Sequence, residues 1–145
     1  AYAKEDQGDL NTSTVKSARN REHIDLDLDF IAKTTTGDIF KKTEIAAAKQ
    51  AIKNLLMTNR MEKPFVANFG ADITGALFEL ADGESDYFLK KDIISTIQIF
   101  EPRVQVLNLE VKVDPDYNRL GVKLEFKLRN TKEVAEFSTT LRRLR

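Results

Sequence analysis

The hydrophobic period of this chain changes from helical to extended at one short segment, Phe100-Glu101-Pro102-Arg103. Proline disfavours a helical conformation in the residue before it and has no amide hydrogen, so we expect the preceding helix to end near Glu101. From Val104 onward the apolar residues alternate as they do in strands. Residues two apart do not pair across a helix surface, so we expect Glu101 and Arg103 to be unpaired within the chain and free to meet a partner.

Two stretches ahead of this segment have the apolar spacing of amphipathic helices. The first begins after Thr43, whose hydroxyl we expect to cap it, continues through residue 58 and has Glu44 in its first turn. The second runs from about residue 85 to Phe100. Between them, Asp72 is placed to cap a short helix that Gly83 ends. We therefore expect two long helices and one short helix.

Three strands follow in a pattern of alternating apolar and polar residues. The first changes phase near Val106-Leu107, which predicts a β-bulge there. The second spans residues 120–128 without a slip, after a turn at residues 115–118. The third is a weaker alternation formed by Ala135, Phe137, Thr139 and Leu141. This pattern is typical of an antiparallel sheet with one buried face.

A further alternation precedes the first helix. The apolar residues Ile24, Leu26, Leu28 and Phe30 alternate with Asp25, Asp27 and Asp29. The period predicts an extended segment with its apolar side buried and its aspartates in solvent. The aspartates also resemble the start of a calcium-binding loop, but Phe30 stands where that loop needs glycine and Thr36 where it needs glutamate. Solvated aspartates are the favoured interpretation.

These elements predict an α+β fold, with an antiparallel sheet of three to four strands and two long helices and one short helix packed on one face. The 145 residues suit one domain with one core. Residues 1–21 are polar and carry few apolar side chains, so we expect a flexible N-terminal arm. Residues 22–145 are expected to form a single α+β domain.

Composition argues against several classes of function. Lys and Arg number 23, and Asp and Glu also number 23, so no net charge attracts nucleic acid or an anionic membrane. The absence of cysteine excludes disulfides and cysteine-ligated metal sites. Apolar runs are far shorter than the ~20 residues that cross a bilayer. We therefore expect a soluble protein, made in the cytoplasm, that binds neither nucleic acid nor membrane and uses no cofactor or metal.

The residues leave one catalytic interpretation open. Glycoside cleavage needs two carboxylates, and Glu79 and Glu101 each lie beside apolar residues that favour a protonated acid. No tryptophan is present to stack on a sugar, and neither carboxylate is singled out as the acid. The single histidine, His23, borders the N-terminal arm, a poor position for the base of a catalytic triad. We expect no catalytic residue, and a peptidoglycan hydrolase with paired carboxylates is the alternative.

A binding role has more support from the pattern. Three strands form a sheet with edges, and an exposed edge is a template on which another chain adds a strand. The last strand ends in Leu141-Arg142-Arg143-Leu144-Arg145 and is the candidate edge. Its arginines are equally consistent with an ordinary edge that charge protects from pairing.

Four motifs in order along the chain carry a family resemblance. They are Lys63-Pro64-Phe65, Phe69-Gly70-Ala71-Asp72-Ile73, Leu77-Phe78-Glu79 and Phe100-Glu101-Pro102-Arg103-Val104. In this order and spacing they resemble the small baseplate wedge subunit of contractile phage tails, a family that includes a type VI secretion baseplate component. The likeness covers about residues 43–142, and Glu-Pro-Arg is its most specific mark.

The resemblance implies an α+β sheath initiator, a structural protein and not an enzyme. Other wedge subunits, through their central helical bundle, would contact Glu101, Pro102, Arg103, Pro64, Phe65, Phe69 and Gly70. The strand at about residues 133–142 would be offered to tail sheath protein through Phe137, Thr139, Leu141 and Arg142. Some members of this family have been labelled lysozyme-like, and the residues of this chain give that label no support.

The same resemblance implies a location in the tail baseplate of a virion, after synthesis in the host cytoplasm. Its neighbours there would be wedge subunits, sheath protein and tube-initiating proteins in a six-fold assembly. A phage tail, an extracellular injection particle and a secretion system are all consistent with it.

Overall fold

The computed structural model describes residues 23–73, 75, 83–114, 117 and 119–142. These residues form β1 (Ile24–Leu26), β2 (Lys41–Thr43), α1 (Glu44–Met57), α2 (Gly83–Phe100), β3 (Val104–Asp114), β4 (Arg119–Leu128) and β5 (Val134–Arg142). The strands make two antiparallel sheets, a β1-β2 ribbon and a three-stranded sheet in the order β3-β4-β5. The α+β class is confirmed. The N-terminal arm lies outside the described residues, and the division into arm and single domain stays a prediction.

Helix α1 begins directly from strand β2, at the expected residue. Thr43 stands at the N-cap position, but its side chain makes no capping hydrogen bond, so that prediction is wrong. Two hydrogen bonds between Glu44 and His23 stand in place of this cap. The Glu44 amide donates to the His23 carbonyl at 2.9 Å, and the His23 amide donates to Glu44 Oε1 at 3.1 Å. The helix ends where Thr58 donates both its amide and its hydroxyl to the Asn54 carbonyl.

Helix α2 starts at Gly83, slightly before the predicted start, and ends at Phe100 as expected. The Glu101 amide still donates to the Ile97 carbonyl at 2.8 Å. Proline at the next position supplies no amide hydrogen, and the Val104 amide then closes a turn onto the Glu101 carbonyl at 3.1 Å. The change from helix to strand therefore takes place within a single tight turn.

The predicted short helix is described only at its start. Asp72 Oδ1 accepts a hydrogen bond from the Gly75 amide at 3.2 Å, which is the bond expected of a capping aspartate. The rest of that prediction, including Leu77, Phe78 and Glu79, lies outside the described residues. Most of the predicted turn at residues 115–118 lies outside them as well.

The three-stranded sheet follows the predicted alternation. The register of β3 shifts between Val106 and Asn108, which confirms the predicted bulge and leaves Leu107 48% exposed. Strand β4 lies in the centre and pairs with β5 without interruption. Among the residues that the structure describes, no further strand joins this sheet, so β3 and β5 are its two edges.

One hydrophobic cluster contains residues of both helices and of the sheet. Every second side chain of β4 is buried, and Phe126 and Leu124 are fully inaccessible to solvent. Helix α1 contributes Ile52, and helix α2 contributes Ile93 and Ile97. Removal of this apolar surface from water, at about 25 cal/mol per Å², is the main force that holds the sheet and helices together.

The β1-β2 ribbon is oriented opposite to the sequence prediction. Ile24 and Leu26 are 55% and 54% exposed, whereas Asp25 and Asp27 are half-buried. Leu28 and Phe30 are exposed as well. The predicted burial is therefore wrong for all four apolar residues, and the predicted solvation is wrong for Asp25 and Asp27. Of the three aspartates, Asp29 alone has a mainly exposed side chain.

Polar groups around the ribbon account for this orientation. Gln50 on α1 donates its side-chain amide to the Leu26 carbonyl at 2.7 Å and accepts from the Leu28 amide at 3.3 Å. The cations of Lys42 and Arg103 meet the aspartates. Apolar side chains on that side of the ribbon would leave these charged groups without partners, at a cost in stability.

Candidate docking site

Glu101 and Arg103 pair with each other at the junction between α2 and β3. Arg103 Nε donates to Glu101 Oε1 at 2.5 Å, and Arg103 Nη2 donates to Glu101 Oε2 at 2.7 Å. The expectation that both charges are unpaired is therefore wrong. Rules for helix spacing do not apply here, because the turn after Glu101 folds the backbone back and brings the two side chains together.

Arg103 also connects the junction to two other parts of the fold. Its Nη1 lies 3.3 Å from Asp25 Oδ2 on the ribbon, and its carbonyl accepts from the Arg129 amide at 2.9 Å. The hydrogen bond to Glu101 raises the pKa of Arg103 above its ordinary value, against the opposing effect of partial burial. Glu101 is 5% exposed, so the pair acts mainly inside the protein. The sequence pattern did not predict Asp25 as a member of this cluster.

Two of the loop residues in the predicted site face inward. Phe69 packs edge-on against Phe100 with ring centroids 5.2 Å apart, and Lys63 Nζ lies 4.1 Å from the Phe69 ring centre. Gly70 is buried at a positive φ of 105°, and a Cβ there would lie 2.2 Å from the Thr58 carbonyl oxygen. Only glycine fits this position, so its contribution is to shape the loop.

Other members of the predicted site are exposed. Phe65 is fully exposed at the tip of the loop, with a positive φ of 67°. Pro64 and Pro102 are exposed as well. The loop is held in shape by a 2.8 Å hydrogen bond from the Met61 amide to the Ala67 carbonyl. An exposed aromatic ring on a hydrogen-bonded loop is suited to contact with another protein.

Helix α2 adds exposed apolar residues that were not among the predicted site residues. Phe88 and Ile99 are 65% and 68% exposed. Their spacing, with Asp92 between them, places all three on one helix face. Asp92 forms an ion pair with Arg60, so the loop that carries Phe65 is joined to this face. The signal in the sequence was the presence of large apolar residues outside the buried stripe of α2.

The ribbon contains a second ion pair. Lys42 Nζ lies 2.8 Å from Asp27 Oδ1 and 3.9 Å from Asp29 Oδ2. The hydrogen bond with Lys42 lowers the pKa of Asp27, with a further contribution from the Asp29 amide 3.1 Å away. The same hydrogen bond raises the pKa of Lys42.

Strand β5 has a regular outer edge. Its nine residues pair with β4 without a bulge, and no strand in the described part of the chain pairs with its other side. The Leu128 amide donates to the Glu133 carbonyl at 2.9 Å, which sets the alternation of the ladder. By this alternation the amides of Ser138 and Thr140 point away from β4. The bulged edge of β3 is a poorer template for strand addition.

The four β5 residues predicted for sheath contact differ in position. Phe137 is buried on the core side, whereas Arg142 is exposed. Thr139 and Leu141 are half-buried. A strand added to this edge would therefore be bound mainly by backbone hydrogen bonds, and the side chains of β5 would contribute little.

The geometry gives no support to the hydrolase interpretation. Both carboxylate oxygens of Glu101 are engaged by Arg103, so neither is directed at a substrate. Glu79 lies outside the described residues. Within the described ranges, no group of His, Asp and Glu is arranged to hold a metal ion. No helix in the same ranges has both the length and the apolar character to cross a bilayer.

Solved structures share this fold. A crystal structure from Geobacter sulfurreducens, described as a candidate tail lysozyme, has a TM-score of 0.59 and 18% identity, covering 66% of this chain and 87% of that one. A subunit of the six-fold anti-feeding prophage baseplate has a TM-score of 0.58 and 16% identity, covering 82% and 84%. A subunit of the postcontraction pyocin R2 baseplate has a TM-score of 0.52 and 12% identity, covering 83% and 99%.

The family comparison goes beyond the fold. The family described as baseplate wedge protein gp25 matches residues 44–133, from the start of α1 to the β4-β5 hairpin. Comparison with curated proteins finds no match. The family match includes the Glu101-Pro102-Arg103 turn and the loop that carries Phe65. Since it extends over more than half of the 145 residues, the chain belongs to the baseplate wedge protein gp25 family.

Proposed function

We propose that this protein is a structural subunit of the baseplate of a contractile tail or a related injection machine. The observation that carries the proposal is the family match over residues 44–133. The fold shared with subunits of the anti-feeding prophage and pyocin R2 baseplates supports it. In this role the protein joins the wedge core on one side and initiates the sheath on the other, within a six-fold assembly at the tail end of the particle.

The wedge core docks on the exposed part of the predicted site. Phe65, Pro64 and Pro102 supply accessible apolar surface, and Phe88 and Ile99 extend it along α2. Glu101, Arg103, Phe69 and Gly70 support this surface from within, by the ion pair, the ring contact and the tight turn. An apolar surface of this kind suits a helical partner, which is the wedge bundle that the resemblance implies.

The sheath protein adds a strand to the outer edge of β5. Outward-pointing amides such as those of Ser138 and Thr140 would donate to the added strand, and each bond contributes about 0.5–1.5 kcal/mol net. Six copies around a ring make these modest contacts collectively strong. Tube-initiating proteins are further neighbours in this assembly.

Ser138→Pro tests the strand-addition step. Proline removes one outward amide and leaves the bonds between β5 and β4 in place, because an edge strand tolerates proline on its solvent side. We expect baseplates that form but carry no sheath, as seen by negative-stain electron microscopy of assembled particles. Ser138→Ala keeps the amide and is the matched control. Normal sheaths on Ser138→Pro particles would exclude β5 as the template.

A point substitution tests strand addition at this edge more specifically than deletion of residues 139–145 does. Leu141 pairs with Leu120 and Thr139 with Val122, so the deletion would remove half of β5 from the sheet. Loss of sheath in the truncated protein would then follow from misfolding alone.

Phe65→Asp tests the wedge contact. The substitution places a charge where an apolar contact is proposed, and we expect co-purification with co-expressed wedge subunits to fall by about tenfold or more. Lys53→Asp, on the exposed side of α1, is the control for a new surface carboxylate. Undiminished co-purification of Phe65→Asp would overturn the proposed docking surface.

The hydrolase alternative has a direct test. Purified protein is expected to leave peptidoglycan intact, because Glu101 is occupied by Arg103. Cleavage that Glu101→Gln abolishes would favour the enzyme over the structural subunit.

A further inference from the structure

The outer face of the three-stranded sheet has a glycine on its middle strand. Gly121 occupies the middle strand β4 and pairs with Lys112 on β3 and Thr140 on β5. The neighbouring row toward the β4-β5 hairpin consists of Glu110, Lys123 and Ser138. All of these rows point away from the core.

The backbone of this protein does not require glycine at this position. Among the described glycines, Gly37 and Gly70 have a positive φ, and Gly121 does not. A Cβ on Gly121 would meet only the Lys112 carbonyl oxygen, at an ordinary contact distance of 3.8 Å. Glycine inside a strand lowers stability and often marks a close approach by another molecule. The missing side chain therefore needs an explanation outside the fold of the free chain.

The missing side chain leaves a hollow in the sheet surface. The hollow has a volume of about 150 Å³ and is open to solvent. Its lining includes two lysines and one carboxylate, together with small polar residues: Glu110, Lys112, Gly121, Lys123, Ser138 and Thr140. An enclosed apolar cavity of about this volume holds one benzene molecule, so the hollow has room for one aromatic ring. Cross-strand aromatic rings also compensate for glycine in sheets, and neither Lys112 nor Thr140 supplies one.

Charge on this face is separated into two ends. Beyond the hollow, toward the end where β5 stops, lie Arg119 and Arg142 with Asp114. Lys112 at the rim makes no ion pair within the described part of the chain, so this end is basic. In the opposite direction, Glu125 and Glu136 are direct cross-strand neighbours.

Lys123 offsets part of that acidic end. Its Nζ lies 3.4 Å from Glu136 Oε1, while the like charges of Glu125 and Glu136 side by side are unfavourable in the free sheet. A ligand that complements this face has a negative charge toward Arg119, and the hollow lies between the two ends.

We propose that the hollow over Gly121 is a socket for one aromatic side chain of a partner protein segment, with an acidic residue of that segment directed toward Lys112 and Arg119. The ring packs on the half-buried backbone of Gly121, and the flanking ammonium groups interact with the face of the ring. This contact uses the face of the sheet and not its edge, so it goes beyond the proposed function and does not depend on strand addition.

A small probe tests the socket on the whole 145-residue chain. The probe is 4-hydroxyphenylacetate, which combines the ring and the carboxylate, and cyclohexylacetate is the non-aromatic control. We expect saturable amide shifts in ¹⁵N-labelled protein at Gly121, Lys112 and Thr140 with the aromatic probe and much weaker binding of the control. Absence of saturable shifts at the solubility limit, or equal binding of both compounds, would overturn the proposal.

Gly121→Thr separates the socket from a structural role of the glycine. Threonine favours strands and fills part of the hollow, so we expect probe affinity to fall by about tenfold. The melting temperature should rise by about 2–4 °C, because the strand loses a destabilising glycine. Lys127→Thr, on the same strand but outside the hollow, should leave probe affinity unchanged. A lower melting temperature of Gly121→Thr would show that the glycine serves the fold, and unchanged probe affinity would show that the probe does not occupy the hollow; either result would overturn the proposal.

Discussion

The β3-β4-β5 sheet and the β1-β2 ribbon have the same alternation in sequence and opposite orientations in the fold. In β4 the apolar side chains are buried, as Phe126 and Leu124 illustrate, and the charged ones face solvent. In the ribbon Asp25 and Asp27 turn toward the protein, and Leu26 is 54% exposed. Alternation therefore fixes the strand period, and the surface beneath the strand decides which side is buried.

The surfaces beneath the two units differ in polarity. The sheet packs with apolar residues of both helices, including Ile52 and Ile93. The ribbon instead meets the side chain of Gln50 and the guanidinium of Arg103. Burial of apolar groups stabilises the first contact, whereas hydrogen bonds and ion pairs, which each contribute less, stabilise the second.

The largest expected contrast is between Phe126→Ala and Leu26→Ala. Phe126 is fully buried, so its truncation leaves a cavity and should cost about 3–5 kcal/mol of unfolding free energy. Leu26 is exposed in the free protein, and its truncation should change stability by less than about 0.5 kcal/mol. Urea denaturation measures both. A large loss from Leu26→Ala would mean that the apolar side of the ribbon is covered in solution.

The next contrast concerns Arg103, the residue that joins the ribbon to the α2-β3 junction. Arg103→Met leaves the buried carboxylate of Glu101 without a partner. We expect the free energy of unfolding to fall by about 2–3 kcal/mol, which is less than for a fully buried ion pair because Arg103 is partly exposed. Asp25→Asn removes the more exposed partner and should cost less than about 1 kcal/mol.

A double variant separates loss of the ion pair from loss of packing. Replacing both Glu101 and Arg103 by Met removes the charge with its partner, and we expect part of the lost stability to return. If the double variant is as unstable as the sum of the two single variants, the pair is not the source of the effect. Denaturation of all three variants gives this coupling energy directly.

The local sequence pattern predicted the helices and strands that pack in the core through their own apolar side chains. Pro102 set the end of α2, and the phase change near Leu107 located the bulge in β3. The orientation of the ribbon was not predictable in this way, because Asp25 meets a residue 78 positions further along the chain. No local window contains both partners.

The residues of the candidate site stay a prediction, and the exposure of each member was not predictable from the sequence. Phe65 and Gly70 belong to one loop, yet Phe65 is fully exposed and Gly70 lies against the Thr58 carbonyl. The pairing of Glu101 with Arg103 was missed because a spacing rule for helices was applied to a turn. Exposure and pairing depend on tertiary packing, which motif order does not contain.

A smaller effect is expected from Gln50→Ala. The substitution removes two hydrogen bonds to the ribbon, at Leu26 and Leu28, and should lower local stability by about 0.5–1.5 kcal/mol. Faster hydrogen exchange of the Leu28 amide, with little change in the amides of β4, would locate the effect in the ribbon. Equal acceleration in both sheets would mean that the ribbon and the core open together.

The smallest expected effect is the pH dependence of the ribbon. Because Lys42 lowers the pKa of Asp27, ionised Asp27 stabilises the folded ribbon above its ordinary pKa of 3.8, and this contribution is lost as pH falls through the lower folded value. Because the pKa of Lys42 is raised, protonated Lys42 stabilises the folded ribbon below its ordinary pKa of 10.5. This contribution is lost as pH rises through the higher pKa that Lys42 has in the folded protein.

The Asp27 amide, which donates to the Phe40 carbonyl at 2.8 Å, reports on this pair. Its protection factor should fall in wild-type protein as pH decreases below 3.8. Asp27→Asn cannot titrate and should show a lower protection factor that stays flat over the same range. An equal fall in both proteins would trace acid sensitivity to groups outside the ribbon. The amides of β4 should keep their protection in this range, because apolar burial, which holds the sheet, does not titrate.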